Sequence, residues 1–186
     1  MDWKNQLRYL EQKKDWDAAI SFMQKVIDEN PNDMSAYINI NYLLMNLLVE
    51  EDYNETKHDY YAALLKHYFT ESYTKFAENA EYLFFTSRTA FMSEWYFGIE
   101  LEDAEKMYQK ALALEPENLL YQWAYYGSLD RSVSQNIQII LSYARMILEE
   151  NSPIKKVLES KGAIGEYLLK IMTAWSERIL NESNLK

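Results

Sequence analysis

Apolar positions recur at intervals of three and four along almost the whole chain, the period of an α-helix with one buried face. Trp3, Leu7 and Leu10 open the pattern, and Ala19, Phe22, Met23, Val26 and Ile27 form a second stripe after Asp15. Asn30-Pro31 closes that stripe, because a residue before proline avoids the α region. Pro31 is then expected to open the next helix, since a first turn does not need its missing N–H. Tyr37, Ile40, Leu44, Leu47 and Leu48 predict a helix over about 34–50, which the polar run "EEDYNETKHD" interrupts. Helices are expected next at about 56–69 and 71–97, the second with a break near Thr86–Ser87 and an end at Gly98. Leu101, Ala104, Met107, Tyr108, Ala111 and Leu112 predict a helix over 101–114, stopped by Pro116. Residues 118–129 read as a short aromatic helix and "DRSVSQ" as a turn. Helices at about 133–150 and 154–181 close the chain, the last weakened by Gly162 and Gly165. No segment alternates over a strand length, so the expectation is an all-α single domain over 1–186 with eight or nine helices.

One half-motif is written twice. "DWDAAISFMQKVIDENPND" at 15–33 and "ELEDAEKMYQKALALEPEN" at 100–118 align 85 residues apart. Asp15 faces Glu100, Trp16 faces Leu101, Ala19 faces Ala104, Met23 faces Tyr108, and Pro31 faces Pro116; Gln-Lys is identical at 24–25 and 109–110. An alanine lets a neighbouring helix approach closely, and the large residue four positions on fills the next groove.

These residues resemble the second helix of a tetratricopeptide repeat, with Trp16, Ala19, Ile20, Met23, Val26 and Pro31 at the family's aromatic, Ala, Ile, aromatic, Ala and Pro positions. Leu101, Ala104, Tyr108, Ala111 and Pro116 fit equally well, and Tyr37 to Leu44 resembles the start of a further unit. The first helices depart, with Leu7 and Met92 at the family's small position, and 85 residues is two and a half of its 34-residue periods. The better units are therefore 1–33 and about 85–118, with a drifted middle over 34–84 and closing helices over 133–181. The resemblance implies a right-handed α-solenoid of stacked antiparallel hairpins. It also implies a concave groove lined by Lys4, Arg8, Ile38, Tyr42, Met45, Thr89, Ser93, Tyr96 and Trp123.

Charge adds a direction. The chain has 186 residues and a net charge of −10, and residues 34–130 alone hold six basic against sixteen acidic residues. A middle of that sign repels phosphate backbones and speeds the encounter with a basic protein. Lys155, Lys156 and Lys161 are the only feature in favour of RNA, and they read as a solvated helix face. No nucleic-acid partner is expected.

The candidate chemistry is sparse. Cysteine is absent, which removes disulfides and thiolate metal sites. His58 and His67, the only histidines, fall on opposite sides of a helix, and His58 beside Glu55 and Asp59 reads as a polar face. Gly98, Gly127, Gly162 and Gly165 build no phosphate cradle. No enzyme, cofactor or metal is expected. The first residues carry no signal-peptide pattern and no apolar run is long enough for a bilayer, so a cytoplasmic, non-membrane protein is expected.

Aromatic residues are the excess, at 15% of the chain. Most belong to a core of interlocking helices, but Tyr and Trp also anchor protein interfaces. In size, acidity and divergent repeats the chain resembles, by type, the immunity proteins that protect bacteria from nuclease toxins. The expected partner surface comprises Glu50, Glu51, Asp52, Tyr53, Glu55, Asp59 and Tyr60, with Tyr61 beside them and Tyr42, Tyr96 and Trp123 as aromatic contacts. The alternative is a scaffold or co-chaperone that takes a peptide in the groove.

Overall fold

The computed structural model describes residues 3–129 and 133–183, so part of the "DRSVSQ" turn lies outside the described residues. Among these there are eleven α-helices, one short 3-10 helix over 55–57 and no strand. The chain divides into two compact units, Met1–Ala111 and Leu112–Lys186.

The first unit holds α1 (Trp3–Gln12), α2 (Trp16–Glu29), α3 (Met34–Glu50), α4 (His58–Phe76), α5 (Ala80–Ala90), α6 (Glu94–Phe97) and most of α7 (Leu101–Leu114). Asp15 starts α2 by accepting from the Ala18 N–H at 3.3 Å, and Ala19, Ile20, Met23 and Ile27 are buried. Pro31 does not open α3. It lies in the turn, and Asp33 caps α3 by accepting from the Ala36 N–H at 3.1 Å. A side-chain acceptor satisfies a free first-turn donor, which proline at that place would not need to do. The same register returns 85 residues later: α7 matches α2 in length, and Asn118 caps the following helix by accepting from Leu120 N–H at 3.1 Å.

Twelve of the seventeen residues of α3 are buried, on every side of the helix. It packs against α2, α4 and α5, which makes it the centre of this unit. Such a helix shows no single apolar stripe. α5 is nearly as deep, with Tyr82, Leu83, Phe84 and Phe85 fully buried. One polar chain crosses this core: the Asn41 amide N–H donates to Ser72 Oγ at 3.3 Å, and Ser72 Oγ lies 2.7 Å from the Tyr82 hydroxyl.

The helix count exceeds the expected eight or nine, and the breaks fall elsewhere than expected. α4 runs unbroken through Thr70, where Thr70 Oγ1 donates to Lys66 O at 2.8 Å. α5 runs unbroken through Thr86–Ser87, where Ser87 Oγ donates to Phe84 O at 2.8 Å. These hydroxyls bond back to their own helix instead of ending it. The actual break is at 77–79, where Asn79 caps α5 by accepting from Tyr82 N–H at 3.0 Å. Gly98 ends α6 with a φ of 71°, a left-handed conformation that suits glycine.

The second unit holds α8 (Leu119–Ser128), α9 (Ser134–Leu148), α10 (Pro153–Glu159) and α11 (Ala163–Ser183). α9 packs against α8, α10 and α11, and α10 packs against α11. The helix expected over 154–181 is two helices, because Gly162 takes a φ of 68° and turns the chain. Gly165 then lets α11 meet α10 closely: a Cβ there would stand 1.8 Å from the Leu158 carbonyl oxygen. Among the described residues no helix is long and apolar enough to cross a membrane.

Candidate functional site

The segment from the end of α3 to the start of α4 is fixed from both sides. Asn54 accepts from the Thr56 N–H at 3.1 Å and from its hydroxyl at 2.8 Å, which shapes the 3-10 turn over 55–57. The Lys57 ammonium donates to one oxygen of Asp17 at 2.5 Å, and the Tyr61 hydroxyl donates to the other at 2.7 Å. Lys14 pairs with Glu51 at 2.8 Å. These contacts tie the segment to both ends of the α1–α2 turn. They also shift the groups involved. The Lys57 and Tyr61 hydrogen bonds hold the Asp17 carboxyl below its usual value, and burial, then the Asp17 carboxylate, push the Tyr61 hydroxyl upward.

On this frame six rings touch in sequence. Trp95 meets Tyr96 at 5.6 Å between centroids, and Tyr96 meets His58 edge-on at 5.6 Å. His58 stacks on Tyr53 at 6.2 Å, Tyr53 meets Tyr61 at 5.7 Å, and Tyr61 meets Tyr60 at 5.7 Å. The Tyr53 hydroxyl lies 2.6 Å from His58 Nδ1 and the Tyr96 hydroxyl 3.4 Å from Nε2, so two phenols bracket the imidazole. Burial pushes the Tyr53 hydroxyl upward, with Tyr96 and Glu55 adding to it. The two ends of the row are open: Trp95 is 62% and Tyr60 52% exposed.

Of the residues anticipated from sequence, Glu50, Asp52, Glu55, Asp59 and Tyr60 are exposed, while Glu51, Tyr53 and Tyr96 are half-buried. Among the described residues no ion pair engages Glu50, Asp52, Glu55 or Asp59; Glu51 is neutralised by Lys14. Tyr42 and Trp123 are interior, as are the groove positions Ile38, Met45, Thr89 and Ser93. Trp123 belongs to the second unit and the other candidates to the first. Lys161 is also buried, whereas Lys156 is exposed.

Sequence reasoning left out His58, Trp95, Asp17 and Lys57 as parts of this surface. The Tyr96–His58 contact spans 38 residues and the Tyr61–Asp17 contact 44, so no local pattern announces them. The aromatic "EWYF" stretch before Gly98 was the available signal.

The arrangement suits recognition. Rings already held in place lose little rotational freedom on binding, and unpaired carboxylates around them favour a cationic surface. Among the described residues no group of three or more His, Asp or Glu converges to hold a metal ion. No family model matches the chain, and no characterised protein matches its sequence.

Proposed function

We propose that this chain is a non-catalytic protein-binding module that covers the basic site of one partner, in the manner of an acidic immunity protein bound to a nuclease-type toxin. The observation that carries this reading is the row of six touching rings, open at Trp95 and Tyr60, beside the unpaired carboxylates of Asp52, Glu55 and Asp59. The carboxylates stand in for phosphates and steer the encounter; the exposed rings supply the anchors that slow release. At fold level, the equal lengths of α2 and α7, and the caps Asp33 and Asn118 at matching positions before the helices that follow, support stacked hairpins of tetratricopeptide type in a right-handed solenoid. A peptide-binding scaffold is the second reading. The accessible groove positions that favour it are the exposed Arg8 and the half-buried Lys4 and Tyr96.

The test begins with a photo-crosslinking residue in place of Trp95 in native cells, which identifies the partner. Asp52, Glu55 and Asp59 are then changed together to Lys, and association is followed by stopped flow at low and high salt. The expected result is an on-rate reduced by about tenfold or more at low salt, with the two proteins converging at high salt. An unchanged on-rate at low salt refutes the electrostatic part of the proposal.

A further inference from the structure

A cavity of about 280 Å³ opens in the first unit between α4 and the start of α7, lined by Phe69, Tyr73, Ile99, Asp103, Lys106 and Met107. Its walls are apolar: Phe69 and Met107 are almost fully buried, Ile99 is half-buried, and Tyr73 is 39% exposed at the mouth. Its rim is charged. Asp103 pairs with Lys106 at 2.9 Å, and Glu100, Glu102 and Glu105 are exposed along the same stretch of chain. One ring contact links this cavity to α6, which carries Trp95 and Tyr96. Phe97 of α6, next to Tyr96, meets Phe69 edge-on at 5.3 Å.

We propose that this cavity is a second anchor point for the same basic partner and receives one of its apolar side chains, flanked on that partner by cationic residues. This rests on the occlusion reading above. The volume lies just below the range of sites for drug-sized ligands and leaves room for one apolar side chain, leucine or larger. The Asp103–Lys106 pair cancels, so the exposed Glu100, whose N–H donates to Asp103, and Glu102, beside Lys106, give the mouth a negative sign that favours a segment with basic neighbouring residues. Spacing links the two subsites. His58 and the cavity residues Phe69 and Tyr73 stand on the same helix, eleven and fifteen residues apart, a rise of about 17–23 Å at 1.5 Å per residue. An extended segment of about five to seven residues covers that distance. Engaging both points with one segment makes the second contact intramolecular, which strengthens binding beyond either point alone.

The experiment uses the full chain labelled with 13C at its methionine methyls, followed by NMR through the Met107 signal. The probes are three blocked tripeptides: acetyl-Arg-Leu-Arg-amide, acetyl-Arg-Ala-Arg-amide and acetyl-Glu-Leu-Glu-amide. The Arg-Leu-Arg peptide should shift Met107 saturably and bind roughly 10–50-fold more tightly than Arg-Ala-Arg, because three carbons leave water. Glu-Leu-Glu should be weaker again. Equal binding of the leucine and alanine peptides, or no Met107 shift, overturns the proposal. Ile99→Trp fills the cavity and should abolish the shift. If that variant does not fold, Asp103→Lys at the rim should weaken Arg-Leu-Arg by about tenfold and leave Glu-Leu-Glu no weaker.

The two proposals fail separately. The triple lysine variant at Asp52, Glu55 and Asp59 should leave tripeptide binding within about twofold, because a tripeptide spans only one subsite. If that variant also binds the captured partner at the wild-type rate, the occlusion reading and the shared-partner assignment fall, while selective Arg-Leu-Arg binding would still mark the cavity as a site for a basic-flanked apolar side chain. If it slows the partner while Ile99→Trp leaves partner dissociation unchanged, the cavity assignment falls.

Discussion

Replacing Gly165 by alanine should destabilise the second unit, although alanine is the better helix former. The added Cβ would meet the Leu158 carbonyl oxygen at 1.8 Å and its carbon at 2.7 Å, with Lys161 Cβ at 3.1 Å. Cβ atoms essentially never come closer than 3.0 Å, so the Leu158 carbonyl must retreat by about 1.2 Å. That oxygen is backbone and accepts the Lys161 N–H at 2.9 Å, so retreat strains the turn between α10 and α11. Overpacking of this kind costs about 1–3 kcal/mol, a weakened hydrogen bond adds about 1, and helix propensity returns at most about 1. The net expectation is a loss of about 2 kcal/mol. Gly127, in α8 of the same unit, is the control: a Cβ there meets nothing within 4 Å. Gly127→Ala should stabilise by about 0.5–1 kcal/mol. Urea unfolding followed by circular dichroism, with hydrogen exchange over 153–177, separates the two by about 1 M or more in midpoint. The same sign for both substitutions would show that the helices do not meet as described.

Three further outcomes follow from named contacts. Ser72→Ala leaves the Tyr82 hydroxyl and the Asn41 amide without their shared buried partner, and should lower stability by about 1–3 kcal/mol in urea titration. Asp17→Asn tests the anchor beneath the candidate site. A depressed carboxyl contributes stability that is full above its unfolded value of 3.8 and is lost as pH falls through the lower folded value. Because the Asp17 side chain is 60% exposed and screened, the variant should lose about 0.5–1 kcal/mol at pH 7 and converge with wild type in acid. Gly98→Ala, at a φ of 71° and against Lys66, should cost about 1–2 kcal/mol and raise the hydrogen exchange of α6.

The helices most faithfully legible in the sequence were those with a one-sided stripe and a marked stop. α2 and α7 keep the expected ends, because Ala19 and Ala104 fix a packed face and proline follows the last turn. α3 also keeps its expected range, although its apolar residues surround it and a stripe describes only part of its burial. The middle was misread for a specific reason. Thr70, Thr86 and Ser87 look like interruptions, but Thr70 and Ser87 bond back to their own helices; Asn79, which has neither Gly nor Pro beside it, makes the real break. At the candidate site, the acidic run over 50–59 was visible as composition. The ring row was not, because it joins residues 53–61 to 95–96 through tertiary packing alone.

The burial of α3 divides the labour of variation across the first unit. A helix with twelve interior positions tolerates a change of volume best when a neighbour in α2, α4 or α5 compensates. The exposed positions at 50, 52, 55, 59, 60 and 95 carry no such obligation. If the proposed reading holds, partner preference can be recut residue by residue on that rim, one charge or ring at a time, while the interior that holds the rim in place remains unaltered.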